Sequence, residues 1–335
     1  MAENSSSSRR RELTVTPTSW PIAGTFTISR GAKTQAHVVT ADITQNNHTG
    51  CGECVPYARY GETQASVTAQ IEQLKPDIEA GLTRLQLQDA LPPGAARNAL
   101  DCALWDLEAK LMTKPVWHLA GLAEPKPMTI AYTISLDTPE NMEAAALKSA
   151  HLPILKLKLG GDGDQERLAA VRKAAPKARL IVDANEAWHE NQLTKLMAAC
   201  HRAGVEMIEQ PLPAGNDDAL RGGPRTIPIC ADETAHGLDS LDLVAQRYDA
   251  INIKLDKTGG LTEAIALAKA AKSANLKIMI GCMVSTSLSM APAILLGSNA
   301  DIVDLDGALL LAHDRRPSVI YQNMKIHPAP AALWG

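Results

Sequence analysis

Five short, mostly apolar runs in this chain each carry charge at or near their C-terminal tip. They are Leu155-Lys156-Leu157-Lys158-Leu159, Leu180-Ile181-Val182-Asp183-Ala184-Asn185, Met207-Ile208-Glu209-Gln210-Pro211, Ile227-Pro228-Ile229-Cys230-Ala231-Asp232-Glu233 and Ile251-Asn252-Ile253-Lys254-Leu255-Asp256. Runs of this kind fit strands that are covered on both faces, as in a parallel sheet. A charge at the tip does nothing to bury its strand. Parallel strands that close into a barrel bring every tip to one face, where barrel enzymes keep their chemistry.

The spacing extends this pattern. From about Pro127, apolar runs begin near Met128, Ile154, Leu180, Met207, Ile227, Ala250, Lys277 and Ala300, with helical stretches between them at 140–150, 165–175, 191–203, 261–274 and 285–296. Eight strand–helix repeats predict a (β/α)8-type barrel. The eighth strand has no clear helix after it, so the expected form is a modified TIM barrel, (β/α)7β, over 119–312. Before it, 38–43 reads as a strand, 49–53 as a turn and strand, and 63–74 and 95–111 as helices. Strands followed by helices predict a separate α+β domain over 13–118. Residues 1–12, with Ser5 to Ser8 followed by three arginines, read as a disordered tail, and 313–335 as a segment returning to the first domain.

Composition excludes several roles. The 335 residues carry a formal charge of -4, which offers nothing to nucleic acid or an anionic membrane. No apolar run approaches a membrane span, and the polar N-terminus lacks a signal peptide's apolar stretch. Six scattered cysteines suit a reducing cytoplasm rather than a disulfide framework. Cys51 and Cys54 form a C-x-x-C without the second pair that a zinc site needs.

The charged tips suggest chemistry. Lys156 and Lys158, two apart on a strand, share a face. An exposed edge strand would solvate both, but the leucines at 155, 157 and 159 need burial on the other face, so the lysines are expected inside the barrel. Burying two ammonium groups requires counter-charge, which Asp183, Glu209 and Asp232 could supply. Those three acids on successive strand ends also suit a hard divalent cation such as Mg²⁺. Singly, each is more often a helix N-cap than a ligand. Lys254 ends the sixth strand, opposite the second in an eight-stranded barrel. Two lysines flanking one carbon can remove a proton from one face and return it to the other, provided their pKa values are lowered; burial and neighbouring positive charge are expected to lower them. Asp304 and Asp306, two apart at the eighth strand end, suit a ligand's ammonium group.

The series Lys156-x-Lys158, Asp183-x-Asn185, Glu209-Gln210-Pro211, Asp232-Glu233 and Lys254 resembles the muconate-lactonizing branch of the enolase superfamily over nearly the whole chain, with Gly52-Glu53-Cys54-Val55-Pro56-Tyr57 similar to the active-site loop of its N-terminal capping domain. Within that branch, Asp304-x-Asp306, the block from Asn252 to Glu263 and Gly281-Cys282-Met283 resemble the dipeptide epimerases. The resemblance implies Mg²⁺ on Asp183, Glu209 and Asp232, proton transfer by Lys158 and Lys254, and an enediolate steadied by Lys156. It also implies Asp304 and Asp306 on the substrate's α-ammonium, and Arg30 in the cap on a glutamyl carboxylate. The implied substrate is a small dipeptide of the L-Ala-D/L-Glu type, from cell-wall peptide recycling. A homo-oligomer is compatible with this. Rival readings are a cycloisomerase or N-acylamino-acid racemase of the same superfamily, a Schiff-base lysine aldolase, and a non-catalytic binding protein.

Overall fold

The computed structural model describes residues 10–222 and 225–335; the expected tail up to residue 9 lies outside them. Arg11 donates to Gln45 Oε1 and Leu82 O, and the first strand starts beside it at Glu12.

An antiparallel sheet opens the chain: β1 (Glu12–Ile28), β2 (Gly31–Gln45) and β3 (His48–Cys54), in that order. The turn between β2 and β3 is Asn46-Asn47, both with positive φ, so Thr49 and Gly50, expected in a turn, lie within a strand. The helix Gln64–Gln73 begins at a Thr63–Ser66 capping box. The helix Ala95–Met112 lies directly on β3: a Cβ on Gly52 would sit 2.0 Å from Ala99 O, so only glycine permits the contact. Leu13, Val39, Ile43, Ile71, Leu100 and Leu104 form this unit's own core.

After β4 (Met128–Thr129) come eight barrel strands: β5 (Tyr132–Ile134), β6 (Ile154–Lys158), β7 (Arg179–Asp183), β8 (Val205–Glu209), β9 (Ile229–Ala231), β10 (Ala250–Ile253), β11 (Lys277–Gly281) and β12 (Ile302–Asp304). They pair in sequence order, all parallel, and Ala131 N donating to Val303 O at 2.9 Å joins the first edge to the last. Helices Pro139–Lys148, Asp164–Ala174, Glu190–Arg202, Leu261–Ser273 and Ser287–Gly297 follow the expected rhythm.

The structure corrects the expected barrel in three places. The run near Met128 does not begin barrel strand one; Met128–Thr129 pairs instead with β14 (Lys325–Ile326), which in turn pairs with β13 (Tyr321–Gln322). The crossover from β8 to β9 has a single 3-10 turn, Asp218–Leu220, and no α-helix among the described residues. The crossover after β9 has a helix, Leu241–Arg247, too short to read by period. In place of an eighth helix, a 3-10 turn, Gly307–Leu310, follows β12. The end of the chain reaches the first unit: Trp334 Nε1 donates to Cys102 O, and Gly335 N to Asp106.

Inside the barrel, one residue from each strand position builds an apolar plug: Ala131, Ile154, Ile181, Met207, Cys230, Ala250, Met279 and Ile302. Because side chains alternate along a strand, the next inward positions toward the C-terminal ends are Thr133, Lys156, Asp183, Glu209, Asp232, Asn252, Gly281 and Asp304, almost all polar. Leu155, Leu157 and Leu159 face outward into the helix layer.

Candidate active site

The polar layer above the plug is fully buried and held together by its own charges. Lys156 Nζ lies 2.6 Å from Asp304 Oδ2, 2.6 Å from Glu209 Oε2 and 3.4 Å from Asp183 Oδ2. Lys158 Nζ donates to Asp183 Oδ2 at 2.6 Å, and Lys254 Nζ to Asp232 Oδ2 at 2.6 Å. The interior placement of Lys156 and Lys158 therefore follows the alternation argument; of the three expected counter-charges Asp183 and Glu209 serve them, Asp304 takes the third place, and Asp232 pairs with Lys254 instead.

The proton affinities depart from expectation. Burial depresses the Lys254 ammonium, yet Asp232 and Glu209 outweigh it and hold the group well above its ordinary value. Lys156 is likewise raised by Asp304, Glu209 and Asp183 against burial. The expected lowering counted burial and positive neighbours and left out carboxylates within hydrogen-bond reach. The carboxylates diverge in turn. Burial and the repulsion of Asp183 push Glu209 up to about 7, while Lys158 and Lys156 overcome burial and bring Asp183 down to about 2.

Asp183, Glu209 and Asp232 each offer an oxygen, all within 4.8 Å of one another. Asn252 Nδ2 holds Glu209 Oε1 at 2.6 Å, while Glu209 Oε2, close to Lys156, has no hydrogen-bond partner among the described residues. Three converging buried carboxylates with a spare oxygen fit a hard cation. Gly281 makes room for this arrangement: a Cβ there would meet Asn252 Oδ1 at 2.4 Å.

Two further lysines matter, and neither stands on a barrel strand. Lys257, fully buried, donates to Asp232 O at 2.5 Å, to Asp232 Oδ1 at 2.6 Å and to Asn252 O at 3.0 Å. It thus holds the side of Asp232 that Lys254 does not. Lys33, from the β1–β2 hairpin, borders the cavity, with its ammonium 5.0 Å from the Tyr57 ring centroid.

The cavity, about 110 Å³, is floored by Lys156, Lys158, Asp232, Lys254, Asp304 and Asp306 and roofed by the first unit through Phe26, Ile28, Val55, Pro56, Tyr57 and Tyr60. Lys158 and Lys254 come from the second and sixth barrel strands, opposite sides of the ring. Asp304 Oδ1 has no hydrogen-bond partner among the described residues, and Asp306, which accepts from Thr133 N, is pushed up to about 6 by burial and by Asp304. Arg30 does not line this cavity. Its guanidinium donates to Glu233 Oε1 at 2.6 Å, Tyr57 Oη at 2.9 Å, Asn185 O at 2.9 Å and Glu186 Oε2 at 3.0 Å. All six cysteines are free, Cys51 and Cys54 included.

Two family models match the chain. Residues 10–121 match the mandelate racemase / muconate lactonizing enzyme N-terminal domain, and residues 140–318 match the enolase C-terminal domain-like family. The chain belongs to the enolase superfamily. Among its relatives in that superfamily, it is 44% identical to the L-Ala-D/L-Glu epimerase of Escherichia coli K12 over 95% of this chain and 99% of the other. It is also 44% identical to an N-acetyl-D-glutamate racemase of a Pseudoalteromonas species, over 89% and 95%. A solved enolase-family member from Agrobacterium tumefaciens, with homology to dipeptide epimerases and with sodium and L-Ala-L-Glu bound, superposes with TM-score 0.95 at 49% identity, covering 97% of this chain and 100% of that one. The dipeptide epimerase of Enterococcus faecalis V583, solved with Mg and L-Leu-L-Tyr, superposes with TM-score 0.87 at 25% identity over 96% and 97%. Among the described residues, no helix is long and apolar enough to cross a membrane.

Proposed function

We propose that this protein is a Mg²⁺-dependent dipeptide epimerase that inverts the C-terminal residue of L-Ala-D/L-Glu-type dipeptides. The observation that carries this reading is the pair of buried ammonium groups, Lys158 and Lys254, facing one cavity from opposite strands. Whichever of the two is neutral would take the α-proton on its Nζ from one face of the substrate carbon, and the other, as an ammonium, would return one to the opposite face; Asp232 and Glu209, which hold the Lys254 proton, are carboxylates whose charge Mg²⁺ would take up. Lys156, buried between Asp183, Glu209 and Asp304, presents fixed positive charge to the enediolate oxygen. Preorganised charge at a developing oxyanion is usually the largest catalytic contribution. Asp183, Glu209 and Asp232 would hold Mg²⁺, whose chemistry is to stabilise negative charge growing on the substrate carboxylate. Asp304 and Asp306 take the free α-ammonium, and Asp304 Oδ1 is the spare acceptor for it. Tyr57 and Tyr60 roof the cavity and exclude water. Lys33, at the cavity edge, provides the cation for an acidic side chain.

The second reading, an N-acylamino-acid racemase, keeps the same lysines and is favoured by the resemblance to the N-acetyl-D-glutamate racemase. The two part at the nitrogen. An acylated substrate brings no ammonium to the Asp304–Asp306 pair and would leave Asp306, and the Oδ1 side of Asp304 that Lys156 does not hold, without a cation. The test is a dipeptide library incubated in D₂O and read by mass spectrometry, with N-acetyl-glutamate alongside. Deuterium should enter free dipeptides, acidic ones first. Uptake by N-acetyl-glutamate alone would favour the racemase, and uptake by neither would reject both.

A further inference from the structure

Two successive residues just past Asp183 are held in a conformation that ordinary side chains rarely adopt. Asn185 has φ +43° and Glu186 φ +68°. Left-handed non-glycine residues are strained and persist where their surroundings over-determine them. Here the surroundings come largely from the first unit. Asn185 O accepts from Ser29 Oγ at 2.8 Å and from Arg30 Nη1 at 2.9 Å. The Glu186 carboxylate accepts from Arg30, from both Nε and Nη2 of Arg59, and from Ala214 N. Asn185 turns back onto Asp183: its backbone N donates to Oδ1 at 2.9 Å and its side-chain Nδ2 to Oδ2 at 3.2 Å. The other Arg30 nitrogen reaches Glu233, which directly follows Asp232 and has a side chain only 2% exposed.

We propose that Arg30 is a positioning residue of the cation site: it clamps the backbone behind Asp183 and the neighbour of Asp232, and so couples docking of the N-terminal unit to the geometry of two ligands. The inference rests on the assignment of Asp183, Glu209 and Asp232 as Mg²⁺ ligands. The hydrogen bonds of the guanidinium named here all end on protein oxygens, and Arg30 is not among the residues lining the cavity, which Lys33 borders instead. Four acceptors spread over three segments suit a planar guanidinium and not a single ammonium.

Outer partners of metal ligands typically set affinity by 10–100-fold. Mg²⁺ binding to the substrate-free full-length protein, measured by calorimetry, should therefore weaken by roughly that factor in Arg30→Met and nearly as much in Arg30→Lys. It should weaken several-fold in Ser29→Ala, which removes one donor to Asn185 O and leaves every ion pair in place. Turnover of acidic and neutral dipeptides should fall by the same ratio in Arg30→Met. Unchanged Mg²⁺ affinity, with loss confined to acidic dipeptides, would make Arg30 a reader of substrate and overturn the inference while leaving the epimerase reading intact. If Arg30→Met does not fold, Ser29→Ala decides alone, and wild-type affinity in that variant overturns the inference. A wild-type protein that takes up no Mg²⁺ overturns the ligand assignment and this inference with it.

Discussion

The same eight strands build two opposite interiors. Toward their N-terminal ends the inward side chains are the plug from Ala131 to Ile302, dry and uncharged. One alternation further on, they include Lys156, Asp183, Glu209, Asp232 and Asp304, all less than a tenth exposed. β6 makes the change in three inward positions: Ile154, Lys156, Lys158. Apolar packing stabilises the lower layer. The upper layer is a set of buried charges that are tolerable only as a set, because a buried pair seldom gains more than it loses in desolvation and removing one partner leaves a charge stranded. Stability and chemistry thus occupy adjacent rungs of one ladder, and substitutions in the two layers should separate them.

The largest effect is expected in the upper layer. Asp232→Asn keeps the shape but removes the charge that Lys254 and Lys257 share. It should abolish Mg²⁺ binding and nearly all turnover, read by calorimetry and by epimerization assays with and without chelator. Full activity of the parent protein in excess chelator would break the metal reading. Asp304→Ala should come next. It leaves a substrate ammonium poorly paired in a desolvated site, costing on the order of 2–5 kcal/mol of transition-state binding, and N-acetylated dipeptides should be poor substrates for the parent. Ready turnover of those compounds would move the assignment to the racemase.

The plug should behave in the opposite way. Met279 is fully buried, and the next inward residue on its strand is Gly281, which carries no side chain to disturb. Met279→Ala should cost about 2–5 kcal/mol of stability in denaturant titrations, with Mg²⁺ affinity near that of the parent. A large loss of Mg²⁺ affinity would show that the layers are not separable.

A smaller effect concerns pH. Asp256, buried where the two units meet, accepts from Val55 N and Asn98 Nδ2, both on Oδ1, and burial pushes its carboxyl up to about 7. The folded state therefore keeps the proton that the unfolded chain releases near pH 4. The stability this gives is complete below pH 4, declines as pH rises and is gone once pH passes about 7. Asn in its place keeps the Oδ1 acceptor and has no proton to lose. Asp256→Asn should thus gain stability relative to the parent between pH 5 and pH 8, by at most a few kcal/mol. A difference that does not change with pH would remove Asp256 from the account.

The barrel was legible because its strands are covered on both faces and so break the usual alternation, leaving their charged tips conspicuous. What escaped had weak local signals. Met128 and Thr129 read as the start of a barrel strand, but the partner that draws them away, Lys325–Ile326, lies almost two hundred residues on. Lys257 sits on a four-residue helical turn, where a lysine normally reads as solvated; only the fold shows its ammonium against Asp232. Lys33 and Arg30 share one hairpin, and no spacing rule says which faces the cavity and which faces Glu233. The raised Lys254 pKa escapes the sequence for a related reason: the strand pattern shows that charges converge, but not which carboxylate comes within 2.6 Å of which ammonium.

The central claim, that Lys158 and Lys254 serve opposite faces of one carbon, is tested most directly by single-turnover deuterium exchange. Lys158→Ala and Lys254→Ala, each loaded with Mg²⁺, would be incubated in D₂O with each epimer of alanyl-glutamate and followed by NMR. Epimerization should fall by roughly 10²–10⁴-fold in both. Lys158→Ala should retain α-proton exchange with one epimer and Lys254→Ala with the other, because exchange requires one base and inversion requires two. Substantial epimerization by either variant, or exchange retained with the same epimer in both, would contradict the two-base arrangement even if the cation site and the fold stand.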